Sequence, residues 1–507
     1  MVSMVSRPAA RGTGDSASEN KSGHGPTPTG AEFAEFDFDN GSPQPLSFHV
    51  VSLGCPKNAV DAEVMLGDAT NHGLLATSDP GEANVIVVNT CGFIDAAKKE
   101  SIDTIFSVAA FKRTGQCRRI VVTGCLVQRY AHELAEQIPE IDFLIGTGDV
   151  MRVSQAMQGI GPRMQVGPAQ GFLQSATSPR LLASSRPSAY IKIAEGCDRH
   201  CTFCVIPKIK GKFRSRSIED IADEAKALVD SGVLELNLVC QDTLSYGMDW
   251  SSSCRSPKLP KLVERIADTS GATWIRLLYL YPQLLDNALL DLVANHARVV
   301  KYIDMPMQHS SSDVLRRMGR RHDAALLRKV VEQLRTHIEG VSLRSAFIVG
   351  FPGETDKDFD DLLAFARWAK FDNAGFFRYS DEDESASHKL DHKVPRMTSY
   401  NRWRKAMATQ RHISRSLNQQ RVGTRIEAIV ESTSEEHPWV LEGRWSGQAP
   451  DVDGRVVFTD SDVAPGQVWL AQVQRATDYD LVVKTLGQAP IASVSTGRKV
   501  PHLPVIR

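Results

Sequence analysis

Three cysteines, Cys197, Cys201 and Cys204, fall inside the stretch EGCDRHCTFCV, and no fourth lies near enough to complete a set. Metal sites that only hold a fold are normally closed by four ligands. Zinc spacing usually comes in paired halves, and no second half follows here. His200 would need an awkward turn to serve as fourth ligand beside its neighbour Cys201. Iron–sulfur clusters are held by cysteine thiolates, and a four-iron cube ordinarily takes four. Three would leave one iron open, and an open coordination position is the mark of a site that does chemistry. A second set is spread along the chain. Cys55, Cys91 and Cys125 each stand beside a glycine, at Gly54, Gly92 and Gly124. Cys117, Cys240 and Cys254 share no such context and read as free thiols.

The elements that must position these groups follow from periodicity. FHVVSLG, NVIVVNT and RRIVVTG are short β-branched runs, each leading to one of Cys55, Cys91 and Cys125 and then into a helical pattern. Strand–helix alternation of this kind predicts a parallel sheet with covering helices over residues 47–160. Ligands of open α/β sheets bind outside the carboxyl ends of the strands, so three parallel strands deliver three cysteines to one edge. Residues 161–187 are rich in Gly, Pro and Ser and read as a linker. From 188 to 415 the alternation resumes on a larger scale and suggests a full or partial (β/α) barrel, with Cys197 opening its first loop. Residues 416–487 hold short strands with turn signals, a small antiparallel β-barrel. The first 46 residues read as a disordered extension and 488–507 as a tail.

Composition narrows the class. A chain of 507 residues suggests two to four domains. Hydrophobic residues make up 42% and charged residues 23%, as in soluble globular proteins. The formal net charge of −1 provides no global field toward nucleic acid or anionic lipid. No apolar run reaches membrane-spanning length and the N-terminus lacks a secretory h-region, so a cytoplasmic location is expected. In a reducing compartment clustered cysteines are metal ligands or nucleophiles more often than disulfides.

An open iron can chelate the amino and carboxylate groups of S-adenosylmethionine, a cofactor that carries radical chemistry. At this point the residues carry a resemblance. EGCDRHCTFCVIP resembles the CxxxCxxC signature of the radical S-adenosylmethionine superfamily, and SLGCPKN, VNTCGFID and TGCL resemble the three cysteine motifs of the methylthiotransferases. The C-terminal barrel resembles their TRAM domain, and the likeness covers roughly residues 47 to 487. The resemblance implies two [4Fe-4S] clusters, one on Cys197, Cys201 and Cys204 that generates the radical. The other, on Cys55, Cys91 and Cys125, presents sulfur at its open iron. S-adenosylmethionine would serve as both methyl donor and radical source, with an electron donor and a sulfur source as partners.

Two branches share this layout, one acting on an adenosine of tRNA and one on an aspartate of small-subunit ribosomal protein twelve. SLGCPKN at 52–58, NTCGFID at 89–95, VCQDTLSYG at 239–247 and MPMQH at 305–309 match the protein-modifying branch. Met307 and Cys240 are small departures from its pattern. Charge is an independent check. Residues 421–487 carry six Arg and Lys against eleven Asp and Glu. An acidic barrel repels phosphate backbones and complements a basic ribosomal protein. The expected reaction is methylthiolation of the aspartyl β-carbon, with tRNA methylthiolation, or a non-catalytic iron–sulfur or zinc protein that binds ribosomes or RNA, as rivals. Gln241, Gln308 and Arg344, with Asp242 and His309, are candidates to contact S-adenosylmethionine, or else structural. FPGET at 351–355 reads as a turn and helix start, with Gly353 setting the turn and Thr355 capping. The basic loop 208–216 guides a partner or is merely solvated.

Overall fold

A computed structural model describes residues 45–183, 187–250, 258–434, 437, 439–460 and 462–489. Cys254, most of the N-terminal extension and nearly all of the tail lie outside them. The N-terminal region begins with β1 (Ser47–Ser52), α1 (Pro56–Asn71), β2 (Leu75–Ala76), β3 (Val85–Thr90), α2 (Asp95–Ala109) and the short α3 (Phe111–Thr114). β4 (Arg119–Gly124), α4 (Cys125–Gln137), β5 (Phe143–Ile145), α5 (Val153–Met157) and β6 (Met164–Gln165) complete it. Its six strands form a wholly parallel sheet in the order β2-β1-β3-β4-β5-β6. Alternation decides which face each side chain meets. Val85, Val87 and Val121 pack under α1 and α5, while Ile86, Val88, Ile120 and Val122 pack under α2 and α4.

The central region runs through β7 (Ser188–Lys192), β8 (Ala194–Glu195), α6 (Ile206–Lys210), β9 (Arg214–Ser215), α7 (Ile218–Asp230) and β10 (Glu235–Val239). It continues with α8 (Leu259–Thr269), β11 (Trp274–Leu277), α9 (Asn287–Asn295), β12 (Tyr302–Asp304), α10 (Ser312–Arg317) and α11 (Ala324–His337). β13 (Ser342–Val349), α12 (Asp356–Ala369), β14 (Asn373–Arg378) and the long α13 (Arg396–Arg421) close it. β7, β10 and β11 are parallel neighbours, as are β12, β13 and β14. An Ile275–Val299 bridge and the Leu280 N–H to Asp304 carbonyl bond join the two sets. The result is a six-stranded partial barrel, with no ladder from β14 back to β7 among the described residues.

The C-terminal β15 (Arg425–Thr433), β16 (Leu441–Trp445), β17 (Val456–Phe458), β18 (Val468–Ala476) and β19 (Leu481–Gln488) form a closed barrel, ordered β15-β16-β17-β19-β18. One junction departs from the antiparallel expectation, because β17 and β19 pair in parallel. β18 lies antiparallel to both β15 and β19, so β19 returns in the direction of β17. This small barrel plugs the larger one. Buried Glu235 receives Arg276 (2.9 Å) from β11 and Arg444 from β16, while Arg444 also holds Glu431 at 2.7 Å. Tyr302 and Tyr190 donate to Asp453 (2.7 Å) and Asp451 (2.8 Å).

The linker expectation for 161–187 needs correcting. Met164 and Gln165 add the sixth strand of the first sheet, and the following residues form a strap along α1. Phe172, Leu181 and Ala183 pack on the first core, and buried Arg180 pairs Glu63 of α1 (2.6 Å) with Glu224 of α7 (2.5 Å). A Gly, Pro and Ser composition suits an extended path, and these few anchors fix it.

A second clasp lies across the interface, where Arg129 of α4 reaches Glu382 (2.9 Å), Glu384 (2.6 Å) and the Gly92 carbonyl (2.6 Å). Arg129→Met leaves buried Glu382 with Lys98 (2.9 Å) as its remaining cation among the described residues. The expected cost is about 3 kcal/mol, read as a lowered Tm by calorimetry.

Candidate active site: two cysteine triads at one interface

β1, β3 and β4 are adjacent in the sheet, and their carboxyl ends present the first triad. Cys55 stands at the N-cap of α1, Cys91 follows β3, and Cys125 opens α4. The glycines explain how three loops come so close. A Cβ on Gly54 would stand 2.7 Å from Cys91 Cβ, and one on Gly92 2.7 Å from Leu126 Cα. Gly124, at φ +98°, has the Thr90 carbonyl oxygen 2.5 Å from where its Cβ would be. Gly124→Ala therefore adds backbone strain to a direct clash. The expected outcome is a protein that keeps the Cys197 cluster but loses about four irons by metal analysis.

Asn58 ties the same loops. Its Nδ2 donates to the carbonyls of Leu53 (3.1 Å) and Thr90 (3.0 Å), and its Oδ1 lies 4.0 Å from Cys125 Sγ. Ser101 Oγ accepts from the Cys91 N–H at 3.1 Å and donates back to its carbonyl at 2.9 Å. Neither role was assigned from sequence, although Asn58 ends the SLGCPKN run; bonds made mostly to backbone groups of other loops leave no spacing signal.

The second triad sits on a loop after β8. The Cys197 N–H donates to Gly211 O (3.1 Å) and the Cys204 N–H to Cys201 O (3.1 Å), while the Arg199 N–H points at Cys197 Sγ (3.4 Å). Thr202 fastens the loop to the end of α10 through its N–H to Met318 O (3.0 Å) and its hydroxyl to Arg317 O (2.8 Å). His200 is exposed, and it is its carbonyl that abuts Gly319.

Burial pushes the Cys91 thiol up to about 11 and Cys125 to about 12, and likewise Cys197 to about 11 and Cys204 to about 12. Thiolates here need matching positive charge. Lys210 faces Cys125, and Arg320, buried against the rings of Phe203 (5.7 Å) and Tyr281 (4.8 Å), faces Cys201 and Cys204. His322 is held down to about 4 by burial and by the nearby Arg320 and Arg199 guanidiniums. Among the described residues no three His, Cys, Asp or Glu side chains converge on a single ion.

The two triads share one interface. Cys125 packs with Phe93 and with Val205 and Ile209, which follow Cys204. Asp61 of α1 binds Lys192 (2.5 Å) and Lys210 (3.2 Å), and Lys192 also holds Glu195.

The other candidates fall around the barrel mouth. Gln241 donates to Glu195 (2.6 Å) and leaves its own Oε1 buried without a partner; Asp242 accepts from Arg199 (2.6 Å) and keeps Oδ1 unpartnered. Gln308 is half-buried with φ +71°, a strained setting for a residue with a Cβ. Arg344 is already matched by Asp304 (2.8 Å) and Asp453 (3.5 Å) of this chain. His309 is buried against Glu354 (3.8 Å) and accepts from the Ser311 N–H (2.9 Å). Gly353 does take positive φ, and Thr355 caps α12 in a capping box with Asp358. In the basic loop Lys210 is buried, whereas Lys208 reaches the Glu384 carbonyl at 2.8 Å.

Comparison with known proteins agrees with this arrangement. Family models described as Uncharacterized protein family UPF0004, Radical SAM superfamily and TRAM domain match residues 47–146, 191–366 and 422–486. The chain is similar to the ribosomal protein uS12 methylthiotransferase RimO of Sorangium cellulosum, at 48% identity over 86% of this chain and 90% of that protein. The protein of the same name from Solibacter usitatus is 45% identical over 88% and 96%. Among solved structures, the radical S-adenosylmethionine methyltransferase TsrM from Kitasatospora setae has the same fold at 14% identity, with a TM-score of 0.52 over 73% of this chain and 89% of that one. No helix among the described residues is long and apolar enough to cross a membrane. With two triads at one interface and such identity along most of its length, the chain belongs to the RimO family of radical S-adenosylmethionine methylthiotransferases.

Proposed function

We propose that this enzyme methylthiolates the β-carbon of an aspartate residue of ribosomal protein uS12, with Cys197, Cys201 and Cys204 holding one [4Fe-4S] cluster and Cys55, Cys91 and Cys125 the other. When bound, these groups and S-adenosylmethionine supply the radical and the sulfur. The single observation that supports the reading is the contact of Cys125 with Val205 and Ile209, because it brings a cysteine of the first triad against the segment that follows Cys204. Each protein residue then has a plain task. Asn58 and Ser101 hold the first triad in register. Arg320 balances negative charge at the second. Gln241 and Asp242 offer their unpartnered oxygens to the amino group of S-adenosylmethionine, and Gln308 shapes the mouth beside them. Arg344 serves as an internal strut instead of a cofactor contact, since its charge is taken by Asp304 and Asp453.

The acidic C-terminal barrel supports a basic protein as substrate rather than a phosphate backbone. A cytoplasmic electron donor and a sulfur source complete the system. The test is to incubate the anaerobically reconstituted enzyme with purified uS12 and, separately, with tRNA. A methylthio mass shift on uS12 supports the proposal, and one on tRNA alone rejects it.

A further inference from the structure

Lys57 is a buried cation at the interface that forms no ion pair with a carboxylate among the described residues. It is the second residue of α1, two positions after Cys55, and is 9% exposed. Its ammonium lies 3.7 Å from the centroid of the Tyr279 ring. Cys55, Cys240 and Glu195 also face it, so it stands between the first triad and the strand ends of the barrel. Tyr279 adopts φ +62°, and the strain is held from both sides. Its N–H donates to Asp304 Oδ2 (3.0 Å), and its carbonyl accepts from the Thr243 N–H (3.2 Å).

The surrounding charges are otherwise matched. Lys192 and Lys210 bind Asp61, and Glu195 is taken by Lys192 and the Gln241 amide. Asp304 holds Arg344, and Asp242 holds Arg199. Among the described residues Lys57 makes no ion pair, and a buried charge left unpaired is costly. A cation kept there at that cost suits an anion that arrives with the substrate.

We propose that Lys57 is the anchor for the side-chain carboxylate of the substrate aspartate, and so determines specificity for aspartate over its neutral isostere. The inference rests on the protein-substrate reading above. The β-carbon is bonded directly to the carboxylate carbon. Fixing that group on an ammonium braced by Tyr279 therefore fixes the reacting carbon beside Cys55 and opposite the barrel mouth. S-adenosylmethionine also carries a carboxylate, and the experiment separates the two sources.

The test compares holoenzyme with Lys57→Met and Lys57→Arg forms, each offered uS12 with the target aspartate intact or replaced by asparagine. Three readouts are taken: binding of each uS12 form, kcat and KM for methylthiolation, and KM for S-adenosylmethionine. Iron content is measured alongside. Lys57→Met is expected to weaken binding of aspartate uS12 and lower its kcat/KM by about 100-fold. Binding of the asparagine form should stay within a factor of two or so, with iron content and the KM for S-adenosylmethionine unchanged. Lys57→Arg should recover part of the loss. Equal losses on both uS12 forms, no loss on either, a raised KM for S-adenosylmethionine, or lost iron with substrate binding intact would each overturn the anchor alone. Failure of the wild-type enzyme to act on uS12 would overturn the protein-substrate reading and the anchor with it.

Discussion

Replacing Cys201 by Ala is expected to abolish cleavage of S-adenosylmethionine to deoxyadenosine, whereas replacing Cys91 by Ala should leave cleavage and remove only the methylthio product. The two cysteines differ in the elements that carry them. Cys201 belongs to the loop fastened by Thr202 to α10 and lies beside Arg320, wholly within the barrel region. Cys91 is carried by β3 and braced by Ser101, wholly within the first sheet. Neither loop needs the other's thiolates to hold its shape, so each variant loses one function and retains the other. Each loss should approach the detection limit, a drop of at least about 1,000-fold, because the missing chemistry has no substitute among the side chains. Chromatography of the nucleoside product and mass spectrometry of uS12 read the two arms separately. Loss of both activities in both variants would show that the sites are not independent.

The second large effect concerns stability. Arg444→Met removes a guanidinium shared by Glu235 and Glu431 at the junction of the two barrels. Glu235 keeps Arg276, but Glu431 is left without a cation among the described residues. Stranding a buried charge costs about 3–5 kcal/mol, which should lower Tm by roughly 5–10 °C and open the junction to limited proteolysis. The same junction makes the fold acid-sensitive. Burial alone would raise the Glu235 carboxyl, but Arg444 and Arg276 overturn that and hold it at about 2, below its ordinary 4.5. A depressed carboxyl stabilises fully above the unfolded value and loses that contribution as pH falls toward the folded one. Wild-type stability should therefore decline between pH 4.5 and about 2. Glu235→Gln should flatten that decline in urea titrations.

Much of the first triad was legible because it depends on a local pattern repeated three times: a β-branched run, then glycine and cysteine, then a helix. Parallel topology turns that repetition into proximity, since β1, β3 and β4 are neighbours. The second triad was legible from spacing alone. What escaped the sequence depends on pairs distant along the chain. Arg320 is over a hundred residues from the cysteines it faces, and nothing in GRRHD announces that it folds against Phe203 and Tyr281. Arg180 hides in a segment whose composition signals only a loop, because backbone freedom is a local property and an ion pair to Glu63 and Glu224 is not. Arg344 has the charge expected of a carboxylate binder, yet Asp304 and Asp453 meet it from two other elements. β14, which supplies the last strand of the partial barrel through NAGFFR, lacks the long apolar run of its neighbours and so carries little strand signal in the sequence.

The central claim is that two separate sets of three thiolates each carry a four-iron cluster. Iron and sulfide analysis with Mössbauer spectroscopy of anaerobically reconstituted protein tests it most directly. The account predicts about eight irons per wild-type chain and about four in a Cys55→Ala, Cys91→Ala, Cys125→Ala triple variant, with the same halving for the Cys197, Cys201 and Cys204 set. About four irons in the wild type, unchanged by removal of the first set, would contradict it.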